Sequence, residues 1–153
     1  MLPALAAAIR RTRQHHALEH ATIHLLTARF PGQRFSGLSD PSGFTLLADI
    51  DEVDLLRAVD DALLRLQGGQ KALAIHPNCG TNLATTALLA TGAALVGNRR
   101  SGRLDRLATS LLLVLLALVV AKPLGYRLQD LTTLADVSDR RLASTNLLST
   151  GIK

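Results

Sequence analysis

The sequence predicts an α+β fold: a small helix–strand–strand–helix–strand domain followed by a two-helix transmembrane hairpin. Three observations carry that prediction. Two apolar runs, 81–97 and 107–121, flank a short stretch holding Arg99, Arg100, Arg103 and Arg106. The first 80 residues alternate helical stripes with short strand-like segments, punctuated by strong turn signals. Hydrophobic residues make up 48% of the 153-residue chain but aromatics only 3%, with no Trp. Leu, Ala and Val must therefore build any core, and they also suit helices that face lipid. The expected organisation is an α+β domain over 1–80, a transmembrane hairpin over 81–122 and a tail over 123–153 that is a candidate edge strand.

Taken in order, residues 4–30 read as a helix ended by Phe30-Pro31-Gly32. Residues 34–39 alternate weakly as a strand, Asp40-Pro41-Ser42-Gly43 marks a tight turn, and FTLLADI at 44–50 reads as a second strand. Asp51 is placed to cap a helix, with Glu52 and Asp54 in its first turn where the helix dipole favours them. Val53, Leu55, Leu56, Val59, Leu63, Leu64 and Leu66 form that helix's apolar stripe, and Gly68-Gly69 stops it. KALAIH at 71–76 reads as a third short strand running into Pro77. The run LATSLLLVLLALVVA at 107–121 carries no charge. A spanning helix usually needs about 20 apolar residues, so both runs reach that length only with flanking residues at the interface. Threonines in the first run are tolerated because their hydroxyls bond back within the helix. Gly92-Ala93-Ala94 is small enough for close helix packing. Pro123 and Gly125 are expected to break the second helix, and 141–148 alternates weakly.

The formal net charge of +5 is unevenly placed. Residues 1–80 hold eight basic and eight acidic groups, whereas 81–153 hold nine basic and four acidic ones. Bases gathered between two apolar runs suit a membrane loop. A nucleic-acid surface would spread them over a face and interleave aromatics for stacking, which this chain does not do. The expected partner is therefore a lipid bilayer, with no nucleic acid. No secretory signal precedes the domain, which favours a cytosolic 1–80; the arginine loop would prefer the same side, and with two spans the two preferences conflict.

All five histidines fall in two places, close to the residues that can share chemistry with them. His15, His16, His20 and His24 lie on the first helix; His76 stands three residues before the only cysteine, Cys79. His16-Ala17-Leu18-Glu19-His20 is an H-x-x-E-H pattern, which puts His16 and His20 on one helical face where both can grip a metal ion. Glu19 lies beside them and can accept a proton from water. His24, one turn further on, is an extra ligand or a support to the ligands, while His15 points about 100° away. By itself the pattern equally describes a solvated His-rich helix face. His76-Pro77-Asn78-Cys79 can place an imidazole and a thiolate on one ion through a bend, although an isolated pair of this kind is more often a core cysteine beside a helix-start histidine. Together the halves suggest zinc held by His16, His20, His76 and Cys79, or by three of them plus water. A closed set would be structural; an open position would make Glu19 a general base. Iron and copper also accept such donors. A third, downstream acidic ligand is absent, since Glu52 is the only other glutamate and suits a helix start.

HALEHATIHLL, then GLSDPSGF, then AIHPNCGTNL entering a hydrophobic hairpin resemble an uncharacterised bacterial membrane family, domain of unknown function 6391. The resemblance covers most of 13–125, and the paired blocks are specific together. More distantly, the order of parts is similar to the YqhQ-like membrane proteins, a group expected to be metal-dependent enzymes. The resemblance implies that His16, Glu19, His20, His76 and Cys79 form the functional cluster, and it supplies no substrate. The tail after Tyr126 matches less clearly and lacks a further strand the resemblance leads one to expect.

Three functions compete. The first is a zinc-dependent hydrolase or peptidase of the bacterial inner membrane, in which water loses a proton to Glu19 and attacks a carbonyl of a peptide or lipid-like substrate. The second is a non-catalytic metal protein with a structural zinc site or a sensing role. The third is a membrane-associated interaction module without metal. A thiolate ligand suits a reducing compartment and so a cytosolic domain.

Overall fold

The computed structural model describes residues 2–100 and 102–143. It is a mixed fold with four helices and one two-stranded sheet among the described residues. The chain divides into two compact units, one within Met1–Ile75 and Thr133–Lys153, the other His76–Thr132.

The first unit is organised by helix α1, Leu2–Arg29, and helix α2, Glu52–Gln67. Helix α1 ends at Phe30-Pro31-Gly32, where Gly32 takes a φ of 91° that a side chain would resist. Ala17, Leu18 and Ala21 of α1 are buried with Ala62, Leu63 and Leu66 of α2 and with Val137. Three of these are alanines, which lets the helix surfaces approach closely. Asp51 does occupy the N-cap of α2, but its side chain makes no capping bond. With Glu52 and Asp54 it acts on the helix dipole through charge. Of the predicted stripe, Val59, Leu63 and Leu66 are buried whereas Val53 and Leu64 are exposed.

Strands β1, Ser36–Ser39, and β2, Phe44–Leu47, pair antiparallel, with Gly37 opposite Leu46 and Ser39 opposite Phe44. Both are shorter than the segments read from the sequence. The turn between them closes through Asp40 N–H to the Gly43 carbonyl at 2.9 Å, while Asp40 Oδ1 accepts the backbone N–H groups of Ser42 and Gly43.

The third strand expected at 71–76 does not form: Lys71–Ala74 is a turn of 3-10 helix. Leu73 and Ala74, consecutive residues, both pack on the core, which the two-residue alternation of a strand forbids. The carbonyls that a strand would offer a neighbour, those of Ala74 and Ile75, are taken by histidine rings of α1. Residues 133–143 return to this unit without a strand. Leu134 N–H bonds the Arg13 carbonyl, and the buried Gln14 amide donates to the Asp136 carbonyl and to Asp139. Of the candidate edge strand at 141–148, residues 141–143 are irregular and the remainder lies outside the described residues.

The second unit pairs helix α3, Gly80–Gly97, with helix α4, Arg103–Thr132. Two close approaches fix the pair. A β-carbon on Gly97 would stand 2.4 Å from Ser110 Cα, and one on Gly125 would stand 2.5 Å from Asn82 Oδ1. Ser110 Oγ donates to the Ala94 carbonyl at the first approach. The threonine hydroxyls of Thr85 and Thr86 bond back to carbonyls four residues earlier. The break expected at Pro123 and Gly125 is absent, and α4 runs through both to Thr132. Proline removes one hydrogen bond from a helix interior, a loss that an apolar helix with packed neighbours accommodates. Among the described residues one helix, α4, is long and apolar enough to cross a membrane, and its apolar stretch is almost wholly exposed. Exposed residues there include Leu111, Leu115 and Val119. The four arginines of 99–106 lie exposed where the two helices join.

Candidate metal centre

Helical spacing brings His16 and His20 together on α1. Their ring centroids are 4.3 Å apart with planes at 63°. His20 is 2% exposed, and its Nδ1 meets the Ala74 carbonyl oxygen at 2.7 Å. A carbonyl only accepts, so that nitrogen carries the proton and Nε2 is the nitrogen suited to ligation. His24 makes the same kind of contact from the next turn, Nε2 to the Ile75 carbonyl at 2.8 Å. His15 turns elsewhere, to the Asp40 carbonyl at 2.7 Å.

The His76–Cys79 bend is stapled from within its own unit. Gln129, wholly buried on α4, accepts the His76 N–H at 2.8 Å and donates to the His76 carbonyl at 3.0 Å and to Asn82 Oδ1 at 2.9 Å. Asn82 donates to the Pro77 carbonyl at 2.8 Å. Cys79 caps α3, its Sγ accepting the Thr81 N–H at 3.4 Å. A helix N-terminus favours negative charge, which suits a thiolate ligand. The sequence reading missed Gln129. Its signal was a single amide in a mostly apolar helix, 53 residues from the bend it holds.

On α1, His16 and His20 offer imidazole nitrogens, and in the other unit Cys79 offers a sulfur; each is a donor that zinc accepts readily. The His76 Nδ1 accepts the Asn78 N–H at 3.2 Å.

Glu19 stands next to His20 on α1. It is buried at 5% exposure, with its carboxylate against strand β1. Ser39 Oγ donates a short hydrogen bond to Oε2, and the side chain lies over the bare α-carbon of Gly37. Neither Ser39 nor Gly37 was singled out from the sequence, although both fall in the GLSDPSGF block.

Residues 11–145 match the family described as Domain of unknown function (DUF6391). An uncharacterized protein of the cyanobacterium Picosynechococcus sp. is 46% identical over 91 residues, a match that covers 54% of this chain and 44% of that relative. The chain thus matches less than half of the relative's length. No solved structure matches.

Proposed function

The chain belongs to the DUF6391 family, and on that premise we propose that it is a metal-dependent hydrolase anchored in the bacterial inner membrane. The observation that carries this reading is the pairing of His16 and His20 on one face of α1, ring centroids 4.3 Å apart. In this reading they hold zinc together with Cys79, with His76 as the candidate fourth ligand. A zinc ion supplies Lewis acidity and a water made acidic enough to react near neutral pH. Glu19, beside His20 on the same helix, would accept a proton from water and return it to the leaving group. The substrate class is a peptide or a lipid-like carbonyl compound. Helix α4 spans the bilayer with α3 as its companion in a hairpin, and the domain over 1–80 faces the cytosol.

The exposed apolar surface of α4 supports the membrane part. The second reading, a non-catalytic zinc site, is favoured by one observation: Ser39 already engages the Glu19 carboxylate.

Elemental analysis of untagged protein purified in detergent tests the metal. The expected result is one zinc per chain, lost in His16→Ala, His20→Ala and Cys79→Ala. Less than about a tenth of an equivalent of any metal, under conditions that leave the ligands deprotonated, would overturn both metal readings. Hydrolysis of a chromogenic ester or a quenched peptide library, abolished in Glu19→Gln, separates the first reading from the second.

A further inference from the structure

We infer that Ser39 and Gly37 position the Glu19 carboxylate for proton transfer, an inference that rests on the base role proposed for Glu19. In a strand, residues two apart face the same side, so Gly37 and Ser39 of β1 share a face. That face meets the Glu19 side chain. A β-carbon on Gly37 would stand 2.6 Å from Oε1 and 2.7 Å from both Cγ and Cδ, so the carboxylate occupies the space a larger residue would fill. Two residues on, the Ser39 hydroxyl donates to Oε2. Strand β1 therefore supplies a gap for the side chain and a donor for one end of it.

The two ends of the carboxylate are held differently: the Ser39 hydroxyl donates to Oε2, while Oε1 is the oxygen nearest the position a Gly37 side chain would take. On the base role proposed for Glu19, Oε1 is the oxygen that takes the proton. The proton of the attacking water passes to Oε1, while the water oxygen keeps the electron pair and bonds to the substrate carbonyl carbon. The carboxyl then gives the proton to the leaving group as the bond between that group and the carbonyl carbon breaks. With Oε2 fixed and the stem lying over Gly37, rotation of the carboxylate is blocked and Oε1 stays at one place. The GLSDPSGF block thereby acquires a role through the hairpin it builds.

The chain has two glutamates, Glu19 and Glu52, which makes the contact directly observable. Labelling the full chain with 13Cδ-glutamate in detergent micelles gives two carboxyl resonances, with Glu52 as an internal control. At one fixed pH, Ser39→Ala is expected to displace the Glu19 resonance and leave Glu52 in place. Ser39→Thr, which keeps the hydroxyl, returns it towards its original position. Gly37→Ala displaces it too, because the new methyl meets the movable end of a side chain. A Glu19 resonance unmoved in both Ser39→Ala and Gly37→Ala would overturn the inference.

Turnover of p-nitrophenyl acetate by zinc-loaded protein adds the functional half. Ser39→Ala should lower kcat roughly tenfold with KM unchanged, less than the ~100-fold or greater loss expected for Glu19→Gln. The double variant should be no slower than Glu19→Gln. Unchanged kcat in Ser39→Ala beside a displaced resonance also overturns the positioning role. Full turnover in Glu19→Gln overturns the base reading instead, and is told apart because the Ser39 contact still registers in the resonance.

Discussion

His20 gives its Nδ1 proton to the carbonyl oxygen of Ala74 at 2.7 Å. One turn later His24 makes the matching contact with Ile75, so two histidines of α1 hold consecutive carbonyls. A ring fixed through one nitrogen presents the other in a set direction, which is how ligating histidines are usually oriented.

On the proposed metal role, His20 acts as a ligand and His24 as a brace. His24→Ala should cost about 1 kcal/mol of stability, the usual worth of one such hydrogen bond, and keep the full metal content. His20→Ala should lose both. His20→Asn can restore part of the bond to Ala74 through its amide, but not ligation, so stability should recover while metal does not. Thermal melts in detergent, read beside metal analysis of the same preparations, check each outcome.

The hairpin that carries Ser39 should loosen in acid. The Ser42 hydroxyl, followed by the backbone N–H groups of Ser42 and Gly43, holds the Asp40 carboxyl below its ordinary value. The unfolded chain therefore takes up this proton first as pH falls. The contribution of the turn is complete above about pH 4 and is lost as pH drops through the lower folded value. Asp136 and Asp139 are lowered in the same direction, chiefly by Ser138 and by Gln14 respectively. Asp40→Asn should thus remove only part of the acid dependence. The protection of the Ser42 and Gly43 amides, measured relative to the intrinsic exchange rate at each pH from 6 to 3, should fall in acid in the parent chain and change less with pH in Asp40→Asn.

What the sequence made legible was periodic or local. The stripe of α2, the turn at Asp40 and the four-residue spacing of His16 and His20 each depend on neighbours along the chain. What escaped it depends on distance. Ser39 reaches Glu19 across 20 residues, and Gln129 reaches His76 across 53, separations at which no periodicity operates. The 71–76 segment was misread because alternation in KALAIH fits a strand, while the outcome was decided by core contacts of Leu73 and Ala74 and by histidines that claimed the carbonyls. Pro123 misled for a related reason: local propensity argues for a break, but packing such as that of Gly125 on Asn82 holds the helix past it.

That packing gives a third prediction. A β-carbon at Gly97 would meet the Ser110 backbone at 2.4–2.6 Å, and one at Gly125 would stand 3.1 Å from Asn82 Cα. Backbone cannot swing aside as a side chain can, so the helices must separate. Gly97→Val should destabilise the α3–α4 pair by roughly 1–3 kcal/mol. Gly125→Val should cost a similar amount and, by pushing Asn82, weaken the hold on the Pro77 carbonyl as well. The detergent-unfolding midpoint should fall in both variants, with metal affinity falling more steeply in Gly125→Val.

Cys79 supplies the sharpest test of the ligand set, because sulfur leaves an optical signature that imidazole does not. Cobalt(II) substitutes for zinc in tetrahedral sites and, when bound to a thiolate, gives a charge-transfer band in the near ultraviolet. The cobalt-loaded chain should show that band together with visible transitions of tetrahedral intensity. Cys79→Ser should lose the near-ultraviolet band. Its side-chain oxygen can still accept the Thr81 N–H that Sγ accepts at the start of α3, so helix content should hold. His76→Ala should keep the sulfur band. If His76 is the fourth ligand, the visible transitions should shift as water replaces it; if it is not, they should stay where they are. A cobalt spectrum without the sulfur band in the parent chain would remove Cys79 from the site and leave His16 and His20 as an ordinary pair on a helix face.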